Sequence, residues 1–345
     1  MATIVQQQEE KSISCPPTSW DKFKDRGFRV LTKGACWFTL LLGGYILWTI
    51  IYQAGPAIWE RGASFLVEQT WDANSNTYGI LPQIWGTLYS SVLGLLVGSI
   101  FGISIAIFLS EGLLGGFLFK VLKVFGVQFH PFWGKLPDRV EKILKITVDL
   151  LAAIPSVVYG LWGIFVVMPL IRPMCAWLDS HLGWIPLFEG TLGTGGMLPA
   201  ALVLGIMVLP TISAISRDAL VAVPPRLREA AYGLGATRWE TITGVLLPTA
   251  GPGILGGVLL AFGRALGETM ALAMLVGNAN RISLSLFAPG NTLAALLANN
   301  FSEASLLTVP VLMYAALVLL LITLLVNILG NLILMRAQRG LVVQR

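Results

Sequence analysis

Residues 229–248 read EAAYGLGATRWETITGVLLP, a 20-residue polar interval between two long apolar stretches. Its residues prescribe a shape. Pro224 and Pro225 end the preceding segment and pre-set the first turn of a new helix. That helix is expected over residues 226–232, with Glu229 facing outward. Gly233 and Gly235 permit a left-handed turn. Thr237, with Glu240 three residues on, is a capping-box pattern that starts a second helix. Pro248 is expected to stop that helix before the next apolar run. The product is a stiff V joined at both ends to segments that belong in a membrane.

The apolar segments are explicit in the composition. Of 345 residues 55% are hydrophobic and 12% charged, and mean hydropathy is +0.77. A soluble domain carries roughly 25% charged residues. About 20 apolar residues at 1.5 Å each cross a ~30 Å hydrocarbon core. Six stretches qualify, at about 34–54, 86–110, 146–171, 197–216, 250–276 and 307–335. The chain is thus read as an all-α, six-span membrane protein. The net charge of +5 does not point to nucleic acid. With the amino terminus inside, 19 Lys and Arg fall on cytoplasmic segments and 3 on outer ones, as the positive-inside rule requires. Both termini are then cytoplasmic. Residues 1–33 read as a cytoplasmic tail without the apolar core of a signal peptide. Residues 336–345 form a second tail, and 111–145 a cytoplasmic insert whose 117–125 stretch suits the membrane interface.

Several motifs are expected to be structural. Gly94, Gly98 and Gly102 form a small-residue ladder suited to close helix packing. Pro155 and Pro210 are expected to kink or break the third and fourth spans. A kinked span frees carbonyls that must face protein or water, so Ser156 is a candidate for a polar pathway. Gly251, Gly253 and Gly256 match GxGxxG but open an apolar helix with no strand before them, which excludes a dinucleotide fold. No P-loop pattern occurs. His130 and His181, with Cys15, Cys36 and Cys175, are scattered. No metal, cofactor, disulfide framework or catalytic triad is expected.

The fifth span carries GRALGETM at 263–270. Arg264 and Glu268 stand four apart and so share a face if the helix is continuous. An Arg near mid-bilayer costs about 2.5–3.5 kcal/mol even on the lenient insertion scale. It is kept by a counter-charge or by water. Two readings stay open: the pair neutralises itself and locks helices, or it lines a path with Thr269. A guanidinium's planar fork suits oxyanions.

The 229–248 segment resembles the EAA loop of ATP-binding-cassette importer permeases through Glu229, Ala230, Ala231, Gly235, Leu247 and Pro248, with Val245 where that pattern has Ile. The stretches AIPSVVYG (153–160) and GRALGETMALAMLVGNANR (263–281) resemble the PstC family of phosphate-importer permeases, over roughly residues 34–335. The resemblance implies a type I importer permease (MetI-like) fold in a bacterial inner membrane. It implies that residues 226–248 dock on a separate ATPase, and that Arg264 and Glu268 serve transport. It also implies a sister permease (PstA-like), two ATPase subunits (PstB-like) and a periplasmic phosphate-binding protein (PstS-like). A sulfate, molybdate or phosphonate permease is the neighbouring alternative. An ion-coupled transporter or channel, and a non-transporting membrane scaffold or sensor, are the more distant ones.

Overall fold

The computed structural model describes residues 18–72, 75–112 and 136–343. The first 17 residues, the interfacial 117–125 stretch, Cys15 and His130 lie outside them. The chain divides into two compact units, residues 1–53 and 54–345. The first unit is the leading part of helix α1 (Ser19–Arg61). This helix begins within the expected tail, so residues 19–33 are helical. Asp21 caps it by accepting from the Thr18 hydroxyl at 2.6 Å. Its apolar side chains surround the axis, the pattern of a span that meets lipid.

In the second unit the end of α1 leads to a one-turn helix (Ser64–Val67) and a small hairpin, β1 (Trp71–Asp72) and β2 (Thr77–Tyr78), with Trp71 opposite Tyr78. Then come α2 (Leu81–Ser110) and α3 (Leu136–Ala153). They are followed by α4 (Ser156–Leu182) and α5 (Met197–Val221), and by α6 (Pro225–Gly233) and α7 (Arg238–Leu266). The short helices α8 (Met270–Leu275) and α9 (Leu293–Asn300) precede α10 (Val309–Val343). Among the described residues six helices, α1, α2, α4, α5, α7 and α10, are long and apolar enough to cross a membrane.

Helix α5 is the centre of the second unit. Its Leu204, Val208 and Ile212 are buried in a core shared with α2, α4, α7 and α8. The glycine ladder of α2 is what lets α5 approach. A Cβ at Gly98 would lie 2.5 Å from Val208 Cγ2 and 2.9 Å from the Gly205 carbonyl oxygen, and one at Gly94 would lie 2.9 Å from Leu204 Cδ2. Gly98→Val should therefore force these helices apart and cost about 1–3 kcal/mol by overpacking. The check is the thermal denaturation midpoint of the purified protein, which should fall by several degrees. Of the GxGxxG triplet, only Gly253 is against a neighbour, with Ala219 Cβ 2.5 Å from its would-be Cβ, while Gly251 and Gly256 face open space.

Pro155 breaks its helix as expected, whereas Pro210 and Pro248 do not. The third span starts at Ser156 rather than near residue 146, because the helix is interrupted at Ile154 and Pro155. Pro155 has no N–H to give the Leu151 carbonyl one turn back. The Tyr159 hydroxyl donates to that carbonyl instead, at 2.7 Å. Pro210, by contrast, lies inside an unbroken α5. Pro248 does not stop a helix either, since α7 runs through it. A π turn (Ile242–Leu246) precedes it, closed by Leu247 N–H donating to the Ile242 carbonyl. Pro169 follows a matching π turn (Gly163–Val167), closed from Met168 to Gly163. The wider turn carries the carbonyl four residues back clear of each proline ring.

Candidate functional site: a coupling V and a broken helix

The V at 225–248 is built as its residues dictate. Pro225 opens α6, and the end is a Schellman motif in which Gly235 N–H donates to Tyr232 O and Ala236 N–H to Ala231 O, 3.0 and 3.1 Å. Gly235 alone takes the left-handed conformation, φ +86°. Gly233 ends α6 as an ordinary helical residue. The capping box at Thr237 and Glu240 is formed. Thr237 N–H and Oγ1–H donate to Glu240 Oε2 at 2.7 and 2.6 Å, and Glu240 N–H to Thr237 Oγ1 at 3.3 Å.

Burial divides the V into a root and a tip. The root holds Ile242, Leu246 and Ala250 in a cluster with Ala106 of α2, Leu220 of α5 and Val223. Ala231 is buried and Leu247 half-buried, while Glu229, Ala230, Gly235 and Pro248 are exposed. The tip also presents Leu234, 90% exposed, and Trp239, 67% exposed. The loop pattern does not include these two. Their signal was an apolar residue at the turn and an aromatic in the capped first turn of a polar segment. Glu111 was missed for another reason: its partners, Arg228 and Arg238, are more than a hundred residues away in sequence.

The second site departs from its expectation. Helix α7 ends at Leu266, and Gly267 N–H donates to Arg264 O at 3.2 Å. Glu268 therefore lies beyond the helix and does not share a helical face with Arg264. Its N–H donates to Ala265 O, and Thr269 Oγ1–H donates to Gly267 O, before α8 begins at Met270. The expected continuous span 250–276 is two helices with a glycine break. The side chains of Arg264 and Glu268 are not joined as an ion pair; the ion pairs among described residues are Arg29–Asp25, Arg217–Asp218 and Arg228–Glu111. Arg264 is exposed, and Glu268 and Thr269 are half-buried.

The two interrupted spans meet. Helix α4, which starts at the half-buried Ser156, packs on α8, where a Cβ at Gly160 would lie 2.7 Å from Met274 Sδ and 3.4 Å from Ala271 Cα. The Arg264 guanidinium is close enough to Tyr159 to interact with its phenol electrostatically. The fold thus brings the first turns of α4 and the end of α7, with its exposed cation, into one neighbourhood. Such a cation offers a planar set of donors to an oxyanion. His181 and Cys175 take no part: the ring stacks on Trp177 at 4.6 Å and the thiol is buried elsewhere in the core.

The family model of the binding-protein-dependent transport system inner membrane component matches residues 132–339, which include both sites. This chain belongs to that family. The permease is 35% identical to the phosphate transport system permease protein PstC of Xylella fastidiosa (strain Temecula1), over 92% of this chain and 93% of that one. It is 38% identical to PstC of Mesorhizobium japonicum, over 81% and 80%. It is 37% identical to PstC of Haemophilus influenzae, over 90% and 93%. Among solved structures, an inward-facing conformation of the MetNI methionine ABC transporter matches at TM-score 0.50 and 19% identity, over 75% of this chain and 95% of that chain. That likeness establishes the MetI-type fold of the permease. Like its relatives, the permease is a transport component rather than an enzyme, and ATP hydrolysis belongs to a separate subunit.

Proposed function

We propose that this chain is the permease subunit that carries inorganic phosphate inward in an ATP-driven importer. The relatedness to PstC permeases over nearly the whole chain carries this reading. Arg264 supports it as an exposed guanidinium, without an ion-pair partner among the described residues, at the meeting of two broken spans. In this reading Arg264 receives the oxyanion, while Glu268, Thr269 and Ser156 line the path beside it. Glu268 limits the depth of the trap by offering a nearby counter-charge.

The V supplies the drive. Glu229, Ala230 and Gly235, with the apolar tip at Leu234 and Trp239, dock on an ATPase subunit. Ala231, Leu247 and Pro248 fix the root. Because α7 is one rod from the docking arm to Arg264, movement of the tip is delivered to the cation without an intervening loop. The partners are a sister permease of the PstA kind, two PstB-like ATPases and a PstS-like periplasmic phosphate-binding protein. The chain lies in the bacterial inner membrane with both termini cytoplasmic, as the Lys and Arg asymmetry supports. Its organisation is a tail at 1–33, a six-span domain at 34–335 with the 111–145 insert and the 226–248 coupling loop, and a tail at 336–345.

Uptake of labelled phosphate by cells that depend on this importer tests the cargo. Unlabelled phosphate should suppress uptake, and an excess of sulfate, molybdate or phosphonate should not. Suppression by one of those anions at concentrations matching phosphate would reassign the substrate. Uptake that persists without the ATPase but collapses with an uncoupler would overturn the ATP-driven reading.

A further inference from the structure

One carboxylate outside both sites holds the V to the membrane helices. Glu111 follows the last residue of α2, and its N–H closes that helix on Ile107 O at 3.1 Å. Gly112 follows in the left-handed conformation, φ +56°. The Glu111 side chain is only 5% exposed, and its Oε1 lies 3.1 Å from an Arg228 nitrogen of α6. The same Arg228 nitrogen donates to the Leu220 carbonyl at the end of α5, also at 3.1 Å. Arg238, the first residue of α7, donates to the Glu111 backbone carbonyl. The Glu111 carboxylate thus meets Arg228 of one arm, Arg228 also reaches the end of α5, and the Glu111 carbonyl accepts from Arg238 of the other arm, so the ends of α2 and α5 and both arms of the V meet around this one residue.

A buried carboxylate is retained only where its partners stay in place. An arm that moved without α2 would leave that charge uncompensated. We infer that Glu111 is a positioning residue that makes the V, α2 and α5 move as one body, so that the stroke received at the tip reaches two spans besides α7. This rests on the coupling role proposed for the V.

The test uses the whole importer, permeases, ATPases and binding protein, reconstituted in vesicles. Phosphate moved per ATP hydrolysed and the thermal midpoint of the complex are measured together. Glu111→Gln keeps the size and removes the charge. It should lower phosphate per ATP about tenfold, the equivalent of losing roughly 1.4 kcal/mol of coupling, while ATP hydrolysis continues. Arg228→Lys keeps a charge but loses the guanidinium's geometry, and should give a smaller loss in the same direction. A lower thermal midpoint with an unchanged ratio means that Glu111 is merely structural and overturns the inference. If the Gln variant does not assemble, Glu111→Asp decides, because it keeps the charge and shortens its reach. A reduced ratio supports the role and a normal one overturns it. Glu229→Arg, at the docking tip, is the parallel control. Normal coupling in that variant would refute the role of the V itself, and with it this inference. A defect there beside normal coupling in the Glu111 variants removes only the inference.

Discussion

Arg264→Ala is expected to reduce phosphate uptake about a hundredfold or more while the importer still assembles. Two charge-assisted hydrogen bonds from a guanidinium to an oxyanion are worth roughly 1.5–3 kcal/mol each. Losing about 3 kcal/mol in total corresponds to about two decades at 1.4 kcal/mol per decade. Arg264 is exposed and has no ion-pair partner among the described residues, so its removal strips none of their carboxylates of a partner and the fold should persist. Arg264→Lys retains a positive charge without the planar fork and should fall between wild type and Ala. Uptake of labelled phosphate is compared with the amount of ATPase that co-purifies. An Ala variant present at normal levels that transports normally would remove Arg264 from the pathway.

Gly235→Val should be nearly as damaging through a different physical cause. A β-branched residue at φ +86° is a genuine backbone outlier, and such strain costs on the order of 1–3 kcal/mol. Apart from its two chain neighbours, no atom of the described residues lies within 4 Å of where a Cβ would stand, so the penalty is conformational rather than a clash. The chain relieves it by abandoning the Schellman turn, which changes the angle between α6 and α7 and re-aims Glu229 and Leu234. Phosphate per ATP should fall about tenfold, in line with ~1.4 kcal/mol per decade, with only a small change in thermal midpoint. Asn tolerates the left-handed region better than other residues with a side chain, so Gly235→Asn should retain most activity and Gly235→Ala should be intermediate. Equal activity for Val and Asn would show that the turn does not set the stroke.

The legible and illegible parts of the fold separate by the range of the interactions behind them. The caps of the V were readable because each depends on residues within four positions: Thr237 with Glu240, and Gly235 with Tyr232. The glycine ladder of α2 was readable because its four-residue spacing puts every member on one face. Gly233 was misread, since either glycine satisfied the local rule and only the geometry of the arms selects Gly235. Hydropathy placed the third and fifth spans but not their breaks. Apolar content continues through Pro155 and through Gly267, and hydropathy does not register whether a carbonyl has found its donor.

Composition and local capping chemistry therefore determined by themselves that this chain carries six helices apolar enough to cross a membrane and a stiff V between two of them, and the Lys and Arg asymmetry is what supports placing that V on the cytoplasmic side. Those signals are sums over residues, or contacts within one turn, and need no partner from elsewhere in the chain. Only the folded structure decided that the V continues into the fifth span, that Glu111 ties it to α2, and that Arg264 and Glu268 lie on either side of a helix end without forming an ion pair. The tie depends on a charge finding its complement after distant helices have packed, the Glu111 carboxylate at Arg228; the other two rest on backbone closures that hydropathy does not register, the π turn closed from Leu247 to Ile242 and the end of α7 at Gly267, which leaves Arg264 exposed.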